Sequence, residues 1–138
     1  MIGIVLASHG EMAKGMLDSC RLFAGENIQQ IAAICLEADE STDDFDGRIA
    51  HAAKIVDSGD GVVILCDLLF GTPCNRSAYL MSPRVKVLCG MNMPLLLELI
   101  GKRAAEENGK PVDLSKMDVN GLIHTGAEGI CDLAEKLK

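Results

Sequence analysis

Three short polar segments of the sequence carry residue types that could do chemistry, and each follows an apolar run. They are Ser8-His9-Gly10, Asp67 with the later Gly71-Thr72-Pro73, and Gly90-Met91-Asn92 with the later Pro94. An imidazole becomes a directed nucleophile when a carboxylate holds one ring nitrogen and the other nitrogen is free. His9 and Asp67 are therefore the predicted catalytic pair, with Asp67 orienting the ring of His9.

The residues around this pair are those that a phosphate group would need. Backbone N–H groups at the helix N-termini that follow His9 and Gly71 could bind phosphate oxygens, and Thr72 adds a hydroxyl. Gly10 and Gly71 would let the backbone approach closely, and Asn92 completes the predicted phosphate-binding set. On these residues alone, a phosphate carrier and a hydrolase both remain open.

Short apolar runs alternate with longer amphipathic runs, which is typical of an α/β fold with a parallel sheet. Strands are predicted at residues 2–7, 28–36, 61–66 and 85–89. Helices are predicted at 11–24, between Ser41 and Gly59, at 73–81, from 94 to about 100, and over most of 114–138. Because ligands bind at the carboxyl ends of parallel strands, the three polar segments should converge there if strands one, three and four are neighbours.

Length and composition restrict the class of protein. The chain has 138 residues, and we expect a single domain spanning 1–138. A net charge of −7 argues against nucleic-acid binding. No apolar run reaches the roughly 20 residues of a membrane-spanning helix, and the N-terminus does not resemble a signal peptide, so a soluble cytoplasmic protein is expected.

The cysteine and histidine positions argue against disulfides and metal sites. The six cysteines lack CxxC spacing, and three of them fall in apolar strand-like runs, so we predict unpaired thiols. The three histidines are far apart and none stands at ligand spacing from a cysteine. No metal is therefore predicted.

Two other classes of function stay open at this level. A small phosphatase-like hydrolase would need an arginine cluster, but the arginines are dispersed and only Arg76 follows one of the polar segments. A non-catalytic α/β module would have His9 buried and already hydrogen-bonded. Of the remaining histidines, His51 is expected on a solvated helix face, and His124 has no obvious acidic partner in the sequence.

The polar segments also carry a family resemblance, through the motifs Ala7-Ser8-His9-Gly10, Cys66-Asp67 with Gly71-Thr72-Pro73-Cys74-Asn75, and Gly90-Met91-Asn92-Met93-Pro94-Leu95. In this order they resemble the enzyme IIA domain of the mannose family, in the bacterial phosphoenolpyruvate:sugar phosphotransferase system. The resemblance extends from Met1 to the C-terminal helix, where residues 124–129 are also similar to a family pattern.

This resemblance implies a histidine phosphoryl relay without a metal or organic cofactor. The carrier protein HPr would phosphorylate His9 at Nε2 while Asp67 holds Nδ1, and Thr72 matches the hydroxyl beside the phosphate. His9 would pass the phosphoryl group to a histidine of the IIB component, expected here to be a separate polypeptide. IIB would then phosphorylate a sugar imported through the membrane subunits IIC and IID.

The resemblance further implies a three-layer, doubly wound fold with strand order 2-1-3-4, and a homodimer. Some family members exchange a further edge strand between subunits, but the sequence shows no convincing fifth strand. The family usually has two glycines before the Thr/Ser-Pro pair, whereas Phe70 takes the first of those positions here. Phe70 is expected either to restrict backbone access to the phosphate or to contact a docking protein.

Overall fold

A computed structural model describes residues 1–138. The main sheet contains the strands β1 (Gly3–His9), β2 (Ile31–Leu36), β3 (Val62–Cys66) and β4 (Val85–Cys89). All neighbouring strands are parallel and their order is β2-β1-β3-β4. The predicted fold class and strand order are therefore confirmed.

Six α-helices accompany the sheet. They are α1 (Met12–Ala24), α2 (Thr42–Val56), α3 (Thr72–Ser77), α4 (Met93–Arg103), α5 (Val119–Glu128) and α6 (Leu133–Lys136). Short 3₁₀ helices span Ala78–Leu80 and Leu114–Lys116. None of the helices has the length and apolar character required to cross a membrane.

The side chains of β1 alternate between two apolar clusters, one on each face of the sheet. Ile4 and Leu6 pack with residues of α1, α4 and α5, whereas Val5 and Ala7 pack with residues of α2 and α3. A strand covered on both faces has no solvent-facing positions, which explains the continuous apolar sequence of β1. The result is three layers, with helices on both sides of the sheet.

The N-terminus of α2 forms where the sequence predicts it. The Ser41 hydroxyl accepts a hydrogen bond from the backbone N–H of Asp44 at 3.1 Å. Asp43 and Asp44 lie in the first turn, where negative charge is favoured by the helix dipole.

Strand boundaries near the polar segments differ from the prediction. β1 does not end at residue 7, because Ser8 and His9 pair with Cys35 and Leu36 of β2. His9 is thus the last residue of a strand and not the start of a loop. β2 begins at Ile31 and not at residue 28, since Gln30 has a positive φ of 50° that interrupts the extended backbone.

Two further differences lie between β3 and the C-terminus. The predicted helix over 73–81 is shorter, because α3 tightens into the 3₁₀ helix at Ala78–Leu80. An antiparallel hairpin that was not predicted, formed by β5 (Glu106–Glu107) and β6 (Lys110–Pro111), makes its own two-stranded sheet. Its turn residues Asn108 and Gly109 have φ of 54° and 74°, the conformation that Asn-Gly favours in two-residue hairpin turns.

Candidate active site

The predicted catalytic pair lies where the connections leave opposite faces of the sheet. β1 and β3 are neighbours, and their carboxyl ends carry His9 and Asp67. The chain continues from β1 into α1 on one face and from β3 into α3 on the other face. Ligands of open α/β sheets bind at such topological switch points.

His9 and Asp67 are joined by two hydrogen bonds. The backbone N–H of His9 donates to Oδ2 of Asp67 at 2.9 Å, and the His9 Nδ1 lies 2.8 Å from the same oxygen. The side chain of His9 is 45% exposed, whereas that of Asp67 is only 11% exposed. The carboxylate is therefore held inside the protein while the imidazole reaches the surface.

This arrangement fixes the chemistry of the ring. A carboxylate oxygen only accepts hydrogen bonds when ionised, so Nδ1 carries the proton and Nε2 keeps its lone pair. Nε2 makes no hydrogen bond within the chain. The non-catalytic alternative required a buried and satisfied His9, which differs from this half-exposed ring with a free nitrogen.

Gly71 lies against the imidazole. A Cβ atom built on Gly71 would be 2.6 Å from His9 Cε1 and 3.2 Å from Nε2, too close for any side chain. Gly71 precedes the first turn of α3, and the backbone N–H and the hydroxyl of Thr72 have no hydrogen-bond partner in the chain. The N–H of Gly71 donates to the Leu68 carbonyl at 3.1 Å, so the unused donors next to the ring belong to Thr72, the residue that follows Gly71.

The other residues of the first segment support the backbone. The buried Ser8 hydroxyl donates to the Gly10 carbonyl at 2.9 Å and accepts from the Ala13 N–H at 2.7 Å, which satisfies the start of α1. Gly10 has a φ of 55°, and its N–H donates to the Leu36 carbonyl at 2.9 Å. The N–H of Gly10 is therefore engaged, and Gly10 serves the site through its conformation.

Asn92, which was predicted to bind phosphate, caps α4 and contacts α5. Its side-chain oxygen accepts from the Leu95 N–H at 3.0 Å and begins α4, while its side-chain nitrogen donates to the Gly126 carbonyl at 2.7 Å. The amide therefore joins α4 to α5, and the second N–H of its side-chain nitrogen has no partner in the chain. Neither the capping role of Asn92 nor its distant contact with Gly126 was predicted from the sequence.

An exposed apolar segment separates Asp67 from Gly71. Leu68, Leu69 and Phe70 are 59%, 57% and 77% exposed, although apolar side chains of this size are usually buried. Phe70 has a φ of 64°, a left-handed conformation that a glycine adopts without strain. Only Phe70 was predicted to be exposed to a partner, although three apolar residues directly after Asp67 were the signal for the whole segment.

Each arginine of the chain has a partner other than His9 or Asp67. Arg76 donates two hydrogen bonds to the Asp46 carboxylate, which lower the pKa of that carboxyl. The Arg76 guanidinium also lies over the ring of Tyr79. Arg103 is buried and donates to the backbone carbonyls of Ile2, Gln29 and Gln30. Arg21, Arg48 and Arg84 pair with Asp18, Glu40 and Asp57. The arginine cluster that a phosphatase-like site would need does not form.

The other titratable groups do not add to the site. His51 and His124 are both exposed, and His124 lies 3.6 Å from Glu128, an acidic neighbour one helical turn away. No group of three or more His, Cys, Asp or Glu side chains is arranged to hold a metal ion.

Fold and site together define an α/β protein with one carboxylate-oriented histidine at a topological switch point. The EIIA-man family, described as the PTS system fructose IIA component, matches residues 3–115. The chain belongs to this family of IIA components of the sugar phosphotransferase system.

Individual relatives agree with this assignment. The sorbose-specific EIIA component of Klebsiella pneumoniae is 31% identical over 104 residues, which cover 72% of this chain and 73% of the relative. The fructose-specific EIIA component of Bacillus subtilis is 27% identical over 105 residues, covering 75% and 71%. The crystal structure of an EIIA component from Streptococcus agalactiae superposes with a TM-score of 0.83 at 29% identity, covering 98% and 99% of the two chains. Family membership implies a phosphoryl carrier role in sugar transport.

Proposed function

We propose that the chain accepts a phosphoryl group on Nε2 of His9 from HPr and passes it to a histidine of a IIB component. The observation that carries this proposal is the contact of His9 Nδ1 with Asp67 Oδ2 at 2.8 Å. It leaves the unprotonated Nε2 on the exposed side of the ring as the nucleophile.

The accepting step is a displacement at phosphorus. The Nε2 lone pair attacks the phosphorus of the phosphohistidine on HPr, and the donor N–P bond breaks with its electron pair returning to the donor ring. The His9 ring gains positive charge while Nδ1 keeps its proton. Asp67 stabilises that charge because its carboxylate is held in place before the reaction, so little reorganisation is required.

The donating step reverses this chemistry towards a second partner. A histidine of IIB attacks the same phosphorus, and the bond between phosphorus and His9 Nε2 breaks. The N–H and hydroxyl of Thr72, with the close backbone approach at Gly71, are proposed to bind the phosphoryl oxygens during both steps. Phosphohistidine is a high-energy species on both proteins, so the exchange is reversible.

The surface around His9 suits a protein partner better than a small substrate. Leu68, Leu69 and Phe70 offer exposed apolar area next to the nucleophile. A rim containing Glu37, Asp39, Glu40 and Asp44 borders the strand that pairs with β1, and although Arg48 neutralises Glu40 there, three carboxylates remain and the net charge of the chain is −7. We therefore propose that HPr and IIB dock through an apolar centre with basic residues facing this rim.

The remaining expectations are part of the same proposal. The carrier would act in the cytoplasm, with IIB handing the phosphoryl group to sugar that enters through IIC and IID. The homodimer stays a prediction, and the unpaired outer edge of β4 is compatible with it. A phosphatase-like hydrolase is less well supported because the arginines are bound singly to separate partners and form no cluster.

Labelling tests the proposal directly. Incubation with phosphoenolpyruvate, enzyme I and HPr should add one phosphoryl group, about 80 Da by intact mass, in an acid-labile and alkali-stable linkage. His51→Ala and His124→Ala should label like the wild type, whereas His9→Ala should not label. Addition of the cognate IIB should remove the label. An unlabelled wild type, or label that survives His9→Ala, would refute the carrier role.

A further inference from the structure

Two thiols lie in contact immediately behind the active site. The Sγ atoms of Cys74 and Cys89 are 3.1 Å apart. Cys74 belongs to the first turn of α3, two residues after Thr72, and Cys89 is the last residue of β4. Neither residue takes part in the proposed phosphoryl transfer.

The surroundings single out this pair among the six free cysteines. Cys66 pairs with Cys89 in the sheet register, but its thiol contacts the Ser77 hydroxyl at 3.7 Å. Cys74 is 7% exposed, whereas Cys89 is partly exposed and lines a cavity of about 460 Å³. A small oxidant can therefore reach the pair through the partly exposed Cys89.

We propose that Cys74 and Cys89 form a reversible disulfide when a hydroperoxide oxidises the pair, and that this disulfide slows phosphoryl transfer at His9. In the first step one of the two sulfurs loses its proton and attacks the peroxide, so the O–O bond breaks and gives a sulfenic acid and one water or alcohol. In the second step the other sulfur displaces the hydroxyl, which leaves as water with the proton of that second thiol. A dithiol reductant reverses the sequence by thiol–disulfide exchange.

Formation of the bond would disturb the active site through α3. A disulfide needs sulfurs about 2.05 Å apart, so the two sulfurs must approach by about 1 Å, and the part of this movement that side-chain rotation does not supply shifts the first turn of α3 towards β4. Because β3 lies between β4 and β1, this shift draws Thr72 away from His9 and from the phosphoryl group that it is proposed to bind. A displacement of this size at a reacting group typically slows a reaction by tenfold to a hundredfold.

The chemical half of the proposal is tested without any phosphotransfer assay. In a Cys131→Ser background, which removes the exposed thiol that would cross-link two molecules, mild hydrogen peroxide should lower the intact mass by about 2 Da. The alkylation count should fall by two thiols. Trypsin leaves Cys66 and Cys74 on one peptide, so linkage to the Cys89 peptide should persist in Cys66→Ala and disappear in Cys74→Ala and Cys89→Ser. No linkage, or linkage through Cys66, would overturn the assignment.

The effect of the disulfide on phosphoryl transfer rests on the proposed carrier role and is measured in a separate experiment. Phosphorylation by HPr should be at least about tenfold slower in the oxidised protein and should recover with dithiothreitol. Cys89→Ser should transfer at the rate of the reduced wild type and resist peroxide, whereas Cys35→Ser should stay sensitive. An unchanged rate in the mapped disulfide form would overturn the control of transfer. Failure of the reduced protein to label would instead refute the carrier function and leave the disulfide standing.

Discussion

The Oδ2 atom of Asp67 accepts two hydrogen bonds from His9, one from the backbone N–H at 2.9 Å and one from ring Nδ1 at 2.8 Å. One oxygen therefore fixes both the end of β1 and the direction of the imidazole. The other oxygen, Oδ1, is buried and makes no hydrogen bond within the chain. The orientation of His9 thus depends on a single atom of a residue 58 positions away in the sequence.

Replacing Asp67 with asparagine tests the effect of the negative charge, because the side chain keeps nearly the same shape. Asp67→Asn can still accept both hydrogen bonds through its side-chain oxygen, but it cannot stabilise the positive charge on the phosphorylated ring. We expect phosphorylation of His9 by HPr to slow by about a hundredfold, measured by rapid-quench labelling. Thermal unfolding should show that the fold survives.

The exposed Asp39 provides the control for this substitution, because Asp39→Asn removes the same charge from the rim without contact with His9. It should reduce labelling far less than Asp67→Asn. Equal rates in Asp67→Asn and the wild type would show that the orienting carboxylate has no role in transfer.

Gly71→Ala should disturb the ring by steric contact alone. The added methyl group would meet His9 Cε1 at 2.6 Å, so the imidazole must turn away from its position on Asp67. We expect labelling to fall by at least about tenfold with the global stability changed little, measured by labelling rate and urea unfolding.

Gly47→Ala is the matched control for that experiment. Gly47 lies within α2 and a Cβ there meets no atom within 4 Å, so alanine should raise helix stability slightly and leave labelling unchanged. If Gly71→Ala labels at the wild-type rate, the imidazole does not pack against Gly71 in solution.

The sequence was sufficient for features that depend on local pattern. The β4 bounds and the Ser41 cap were predicted correctly, because a strand's apolar run and a helix cap both depend on residues that are adjacent in the sequence. The contact of His9 with Asp67 was also anticipated, since residue types at two strand ends indicate the same sheet edge. Residue chemistry and chain order together carried these predictions.

Features that depend on contacts between residues far apart in the chain could not be predicted from the sequence. The end of β1 depends on where β2 pairs with it, and the use of Asn92 depends on Gly126, 34 residues away. The closeness of Gly71 to His9 is likewise visible only once β1 and β3 are placed side by side. The hairpin at Asn108-Gly109 is the exception, because its turn signal was present in the sequence and was not used.

The buried thiol of Cys66 should make the protein less stable at alkaline pH. Burial raises the pKa of Cys66 from 9.0 to about 11. The folded state therefore holds a proton that the unfolded chain releases above pH 9, so stability is unaffected below pH 9 and falls as the pH rises towards 11. The loss should amount to roughly 2 kcal/mol, measured by urea unfolding at pH 8, 9, 10 and 11.

Comparison with variants isolates the Cys66 contribution from other groups that titrate at alkaline pH. Cys66→Ala should be less stable than the wild type at pH 8, and this difference should shrink by pH 11. Cys131→Ala removes an exposed thiol and should follow the wild-type curve. A constant difference between Cys66→Ala and the wild type across this range would contradict the raised pKa.

At position 70, glycine should give a more stable protein than alanine, which is the reverse of the usual order. The φ of 64° at Phe70 places Cβ close to the following carbonyl, which costs about 1–2 kcal/mol for a residue other than glycine. Because the side chain is 77% exposed, Phe70→Gly and Phe70→Ala lose equally little burial and differ mainly in this strain. Phe70→Gly should therefore be about 1 kcal/mol more stable than Phe70→Ala in urea unfolding, even though glycine gives the unfolded chain more freedom. Leu69 is exposed without a positive φ, so Leu69→Ala should be at least as stable as Leu69→Gly. If alanine were also the more stable residue at position 70, the segment before Gly71 would not hold its left-handed conformation in solution.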